Sequence, residues 1–167
     1  MVQLVKIEGL RETEAALAAL GKSLGKGVLR RTAKKALTPF DATWRKLAPD
    51  NPATGEDDLK TSGGISTRLT KRQAKEHRRA FRNDRSSIEM FAGPENSAAV
   101  PMEFGTAERF KRSGVSTGAV DPRPFVRPAW DATRLAMPTM ISRDLWTEIQ
   151  ATAARKARRD AKKAAKR

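Results

Sequence analysis

Val100-Pro101-Met102-Glu103-Phe104-Gly105-Thr106 and, after a polar loop, Asp121-Pro122-Arg123-Pro124-Phe125-Val126-Arg127-Pro128-Ala129-Trp130-Asp131 are the two runs on which the reading of this chain turns. The first is short and apolar and ends at Gly105, which suits a sharp change of direction. In the second, Pro122, Pro124 and Pro128 fix their own φ angles and hold the residues before them extended. Phe125, Val126, Ala129 and Trp130 are spaced so that a rigid segment packs and then feeds a helix. Pro128 fits the first turn of that helix, where a missing N–H costs nothing. A phenylalanine before a glycine turn reads as ordinary core. Phe104, Gly105, Thr106, Pro124, Phe125, Arg127 and Pro128 are therefore read as scaffold, not as a chemical site.

Outward from these runs, Val2, Leu4 and Ile7 alternate as in a strand, and Gly9 ends the pattern. Residues 10–20 read as a helix with Glu12 and Glu14 near its start, where the helix dipole favours acids. Gly21, Gly25 and Gly27 predict a break or loose turn, with helical continuity costing about 1 kcal/mol per glycine. From residue 28 to 47, Leu29, Ala33, Leu37, Phe40, Trp44 and Leu47 recur every three or four positions, an amphipathic helix whose other face is basic. Pro39 should kink it.

Residues 50–58 read as an exposed loop, residues 59–69 as a strand with Gly63-Gly64 as a bend, and residues 86–92 as another strand. Residues 68–85 are strongly basic and sparse in apolar side chains, so a solvated helix and a mobile loop both fit. Residues 96–104 suit a short helix or strand, and residues 110–119 read as a mobile loop. Beyond Pro128 a long helix is expected. Pro138 should kink or interrupt it near its start, and Ile141, Leu145, Ile149 and Ala153 form its apolar stripe.

The two opening runs also resemble a family. Met102-Glu103-Phe104-Gly105-Thr106 followed by Arg123-Pro124-Phe125-Val126-Arg127-Pro128-Ala129 is similar to the tail-completion, or head–tail joining, proteins of long-tailed phages and prophages. Ile7-Glu8-Gly9-Leu10, Leu47-Ala48-Pro49, Thr54-Gly55 and Leu59-Lys60-Thr61-Ser62 match further motifs of that family, in order, over roughly the first 135 residues. The resemblance implies a structural protein of the virion neck, assembled in the bacterial host cytoplasm. It also implies a homo-oligomeric ring, commonly a hexamer, stacked on other neck and tail proteins.

Composition sets its own bounds. The chain has 167 residues, which fits a single domain, here residues 1–154 followed by a basic tail at 155–167. Hydrophobic residues make up 38% and aromatics 5%, which predicts a thin core with extended arms, and the helices and strands read above make the expected fold α+β. In that fold a small antiparallel sheet, from residues 2–7, 59–69 and 86–92, packs on the helix at 28–47, with a long basic C-terminal helix beside it. A formal charge of +15 calls for an acidic partner, nucleic acid or protein. No cysteine is present, so disulfides and thiolate metal sites are excluded. No stretch has the apolar length of a membrane span, and the N-terminus shows no signal-peptide pattern.

No catalytic constellation emerges. His77 is the sole histidine and sits in a basic run with nothing to orient it as a base. The serines lack a histidine partner, and Glu56-Asp57-Asp58 lacks the ligand spacing of a calcium loop. Gly21-x-x-x-Gly25-Lys26-Gly27 has the wrong spacing for a phosphate loop. A non-enzymatic protein without cofactor, metal or small-molecule substrate is expected. In the tail, Arg155, Lys156, Arg158, Arg159, Lys162 and Lys163 read either as a solvated helix or as contacts to acidic protein or packaged DNA. With cations taken to lie on all faces and few apolar residues, the tail is expected to fray when free. The alternative function is a non-specific nucleic-acid-binding module that uses these basic stretches.

Overall fold

The computed structural model describes residues 10–20, 22–50, 58–67 and 88–165. The fold is α+β. Its elements are α1 (Leu10–Leu20), α2 (Lys22–Leu47), α3 (Asp58–Thr61), β1 (Gly64–Ser66), β2 (Phe91–Gly93), α4 (Ala99–Phe104), β3 (Thr106–Phe110), β4 (Ser116–Val120), α5 (Val126–Thr133) and α6 (Met137–Ala164). The strand expected at 2–7, the basic run at 68–85 with His77, Gly21 and most of the acidic loop lie outside the described residues.

The chain divides into two compact units. Met1–Ala36, Thr67–Met90 and Ala136–Arg167 form one, and Leu37–Ser66 with Phe91–Leu135 form the other.

In the first unit, Leu20, Val28, Leu145 and Ile149 form a buried cluster, with Ala16, Leu17, Leu24 and Leu29 packed against it. The core is thin because α6 contributes few apolar side chains. Its buried face is Met137, Leu145, Ile149 and Thr152, whereas Ile141 and Ala153, expected in the stripe, are exposed. Gly25 and Gly27 do not break α2. Gly25 is buried, and a Cβ there would stand 3.3 Å from the Leu17 carbonyl oxygen. The glycine therefore permits a close approach of α1 and α2, and that gain offsets its poor helix propensity.

Charge supplements this core. Arg31 Nε donates to Glu148 at 2.7 Å, Lys35 Nζ donates to the same carboxylate at 2.8 Å, and Arg31 Nη2 donates to the Thr152 hydroxyl at 2.6 Å. These donors hold the Glu148 carboxyl down from 4.5 to about 2, against the opposing effect of burial.

In the second unit the buried side chains include Phe40, Trp44, Ala48, Leu59, Ala99, Phe125 and Ala129. Trp44 meets Phe125 with ring centroids 6.3 Å apart, and Phe40 meets Trp130 edge to face at 5.7 Å. Arg45 lies over the Trp44 ring, pairs with Asp41 at 2.9 Å, and donates to the carbonyls of Lys60 and Gly63. With the Ser62 hydroxyl donating to the Leu59 carbonyl, these bonds close residues 59–63 into a helical turn and a bend. The strand expected at 59–69 is therefore only β1 within the described residues, because its first half spends its carbonyls on Arg45 and Ser62.

Among the described residues the strands form two antiparallel pairs, of which β1–β2 joins two of the segments expected to form a sheet. β1 pairs with β2 in the register Gly64↔Gly93, Ile65↔Ala92, Ser66↔Phe91. β3 and β4 form a hairpin, paired at Thr106↔Val120 and Phe110↔Ser116, where a mobile loop was expected. Gly114 and Gly118 have positive φ and let the chain turn and bulge there, and Lys111 N–H donates to the Val115 carbonyl across the tip. The helix after Pro128 is also not continuous. α5 ends at Thr133 and α6 begins at Met137, with Pro138 in its first turn.

Phe125 is fully buried and Trp130 is 44% exposed, so only Phe125 is a complete anchor. Phe125→Ala is expected to cost about 3–5 kcal/mol in urea unfolding and Trp130→Ala clearly less. Equal costs would contradict this division.

Candidate functional site

The N-terminus of α5 is where the two quoted sequence runs meet. A helix leaves its first four N–H groups without intrahelical partners. In α5 these belong to Phe125, Val126, Arg127 and residue 128. The N-cap is Phe125, whose side chain offers no oxygen. Glu103, at the end of α4, supplies the missing acceptors. Its Oε2 accepts the N–H groups of Phe125 at 2.8 Å and Val126 at 2.9 Å, and its Oε1 accepts that of Arg127 at 3.0 Å. Residue 128 is proline and has no N–H to satisfy. The first helical bond then runs from Ala129 N–H to the Phe125 carbonyl. All four positions are settled, three by one carboxylate and the fourth by the absence of a donor.

Glu103 is 4% exposed. Burial alone would push its pKa up, but the three backbone N–H groups and the Arg127 side chain outweigh burial and leave it below the usual carboxylate value. The positive end of the α5 dipole acts in the same direction. Arg127 Nε donates to Oε1 at 3.2 Å, and its guanidinium lies 4.7 Å from the centre of the Phe104 ring.

Gly105 turns the chain immediately after this glutamate. Its φ is +73°, and a Cβ would meet the Val120 carbonyl oxygen at 2.9 Å and Pro122 Cδ at 3.0 Å. The Gly105 N–H closes α4 on the Pro101 carbonyl, and Arg123 N–H donates to the Met102 carbonyl at 2.6 Å. The base of the β3–β4 hairpin is thus gripped at both ends.

Phe104, Gly105, Thr106, Pro124, Phe125, Arg127 and Pro128 all belong to the second unit. Within it, Phe104 and Gly105 lie at the end of α4 and Phe125, Arg127 and Pro128 at the start of α5. Thr106 opens β3 with its hydroxyl buried and without a partner among the described residues. Phe104 overturns the expectation of a buried ring, because it is 61% exposed. The buried side chain of that pair is Glu103, which sequence reasoning passed over. The signal for it was negative: a helix start at Phe125 with no Ser, Thr, Asp or Asn beside it to act as cap.

Arg155, Lys156, Arg158, Arg159, Lys162 and Lys163 belong to the first unit, on the last turns of α6. The helix runs to Ala164, where fraying from Arg155 onward was expected. Alanine at 151, 153, 154, 157, 161 and 164 carries the highest helix propensity, and Lys162 and Lys163 suit the negative end of the dipole. The six cations do not lie on all faces, either. At 100° per residue they share an arc of about 160°, opposite Ala157, Ala161 and Ala164. Only Arg155 has an ion-pair partner among the described residues, Glu148 at 3.7 Å.

Among the described residues no group of three or more His, Cys, Asp or Glu could hold a metal ion, and no helix is long and apolar enough to cross a membrane. No family model matches the chain, and neither a curated protein nor a solved structure does.

Two outcomes test the capped turn. Glu103→Gln leaves an amide facing N–H donors and is expected to cost about 1.5–3 kcal/mol in urea unfolding. Glu103 and Glu148 both have folded-state pKa values below 4.5, so their stabilisation is present above that pH. It is lost as pH falls through the folded-state values, about 2 for Glu148. Stability should therefore decline between about pH 5 and 2, and less steeply in Glu103→Gln. Separately, Gly105→Val is expected to destabilise the fold by about 1–3 kcal/mol, measured by thermal or urea unfolding.

Proposed function

We propose that the chain is a structural protein of the phage neck, a tail-completion or tail-terminator-like subunit that joins tail to head as part of a homo-oligomeric ring. The observation that carries the reading is the Glu103 cap. Met102-Glu103-Phe104-Gly105-Thr106 and Arg123-Pro124-Phe125-Val126-Arg127-Pro128-Ala129, the two runs that resemble the family, are separate in sequence but form one hydrogen-bonded unit. Their co-occurrence then has a physical cause, since the glutamate of one run is the cap of the other.

The second unit also presents surfaces suited to assembly. Phe110 and Val115, on either side of the hairpin tip, are 63% and 58% exposed. β3 is exposed along nearly all its length, and a lone two-stranded hairpin is only marginally stable in water. Neighbouring subunits or neck proteins would cover it. Val100, Phe104 and Leu135 add exposed apolar area in the same unit.

A premature stop codon early in the gene, in the phage or prophage that encodes the chain, should yield filled heads and separate tails by negative-stain microscopy. A plasmid-borne wild-type copy should restore joined, infectious particles. Normal particles from the null would overturn the proposal.

A further inference from the structure

We infer that the C-terminal turns of α6 are a binding surface for the phosphate backbone of duplex nucleic acid, without preference for base sequence. This goes beyond the neck reading. It stands on one helix, and its outcome does not depend on head–tail joining.

The first observation is the change in α6 after Thr152. Up to that residue the helix has a buried face, and Glu148 engages Arg31, Lys35 and Arg155. Beyond it every described residue is exposed. Lys156, Arg158, Arg159, Lys162 and Lys163 have no ion pair among the described residues, and Asp160 is the one acid of that stretch. Among the described residues no packing contact of the unit explains cations gathered there.

The second observation is their arrangement. Arg158 and Lys162 lie toward one edge of the arc, Arg159, Lys163 and Lys156 toward the other, and Arg155 between them. A helix with cations on both flanks of one face can reach phosphates on the two strands that border a groove. Alanine fills the opposite face, so the cations are not spread by chance around a solvated rod.

The third is charge density. Residues 155–163 span about 13 Å of helix, which gives one cation per roughly 2 Å. A duplex carries one negative charge per about 1.7 Å of axis, a close match. An acidic protein face would have to hold its carboxylates at that density against their own repulsion, which disfavours it as the partner.

The chemistry of the side chains sets the mode of binding. Between residues 155 and 165 there is no Asn, Gln or aromatic residue to read or stack on a base. Trp146, 44% exposed, projects on the alanine side of the helix, away from the arc. Arginine and lysine remain, and their charge is directed chiefly at phosphate.

The test uses the full chain and a fluorescein-labelled 24-base-pair duplex, followed by anisotropy from low to about 0.3 M salt. AT-rich and GC-rich duplexes are expected to bind alike. Replacing all six cations by glutamine should weaken binding at least about tenfold at 0.1 M salt and flatten the slope of log K against log salt by about 5. The milder K162Q/K163Q should flatten it by about 2, and R155K/R158K/R159K should bind as the wild type does. The far-UV helical signal checks that each variant folds. If K162Q/K163Q leaves affinity and slope unchanged, the surface is not used. If poly-glutamate of matched charge, or a single strand of the same length, binds as tightly as the duplex, the assignment to duplex backbone is overturned.

Discussion

One carboxylate, that of Glu103, holds α4, the Gly105 turn and the start of α5 together in the second unit. A helix that starts on Phe125 has three backbone donors to satisfy, and the chain around it, Pro-Arg-Pro-Phe-Val-Arg-Pro, contains no side-chain acceptor. Leaving a buried donor unpaired costs about 1–3 kcal/mol. Glu103 meets all three at 2.8–3.0 Å, and being ionised it makes the stronger kind of hydrogen bond. The burial of the carboxylate is tolerable only because the donors are there, and the donors are satisfied only because it is buried. Each depends on the other, so α4, the Gly105 turn and the start of α5 form as one piece.

The consequences run in two directions from that point. Toward the core, the cap sets the position of Phe125, whose ring meets Trp44, while Trp130 one turn later meets Phe40. The last turns of α2 and all of α5 are thereby joined through two aromatic pairs. Toward solvent, the same residues clamp the hairpin. Thr106 pairs with Val120, Arg123 bonds Met102, and Gly105 leaves no space for a side chain between Val120 and Pro122. The hairpin is held firmly at its base, and its tip presents apolar side chains. That combination suits a contact element, because a rigid base reduces the entropy lost when the tip is ordered against a partner.

The first unit meets a different constraint: three helical segments of a strongly basic chain packed around few apolar side chains. A single carboxylate is again central. Glu148 takes Arg31 and Lys35 from α2 and stands near Arg155 of its own helix. Its position at the margin of the core lets the cations keep contact with water while their repulsion is relieved. Past Thr152 only Arg155 reaches that carboxylate, and the cations after it have no ion pair among the described residues. Among the described residues, the distribution of acids, more than the number of bases, decides which cations take part in the packing of the unit.

The amino-acid sequence by itself determined the elements whose causes are local. The three- and four-residue spacing from Leu29 to Leu47 makes an amphipathic helix wherever it lies. Gly105 before a polar run makes a turn, and Pro128 and Pro138 sit in first turns of helices. Tertiary structure alone decided what depends on distant partners. Glu103 lies 22 residues from Phe125, so no local pattern marks it as a cap, and the burial of Glu103 beside an exposed Phe104 reverses what side-chain polarity suggests. Gly25 reads as a helix breaker until Leu17 is seen against it. Residues 59–63 read as strand until Arg45 takes two of their carbonyls. In each case the deciding energy is a hydrogen bond or a steric contact between residues far apart in the chain, and a sequence window carries no information about which distant group will arrive to make it.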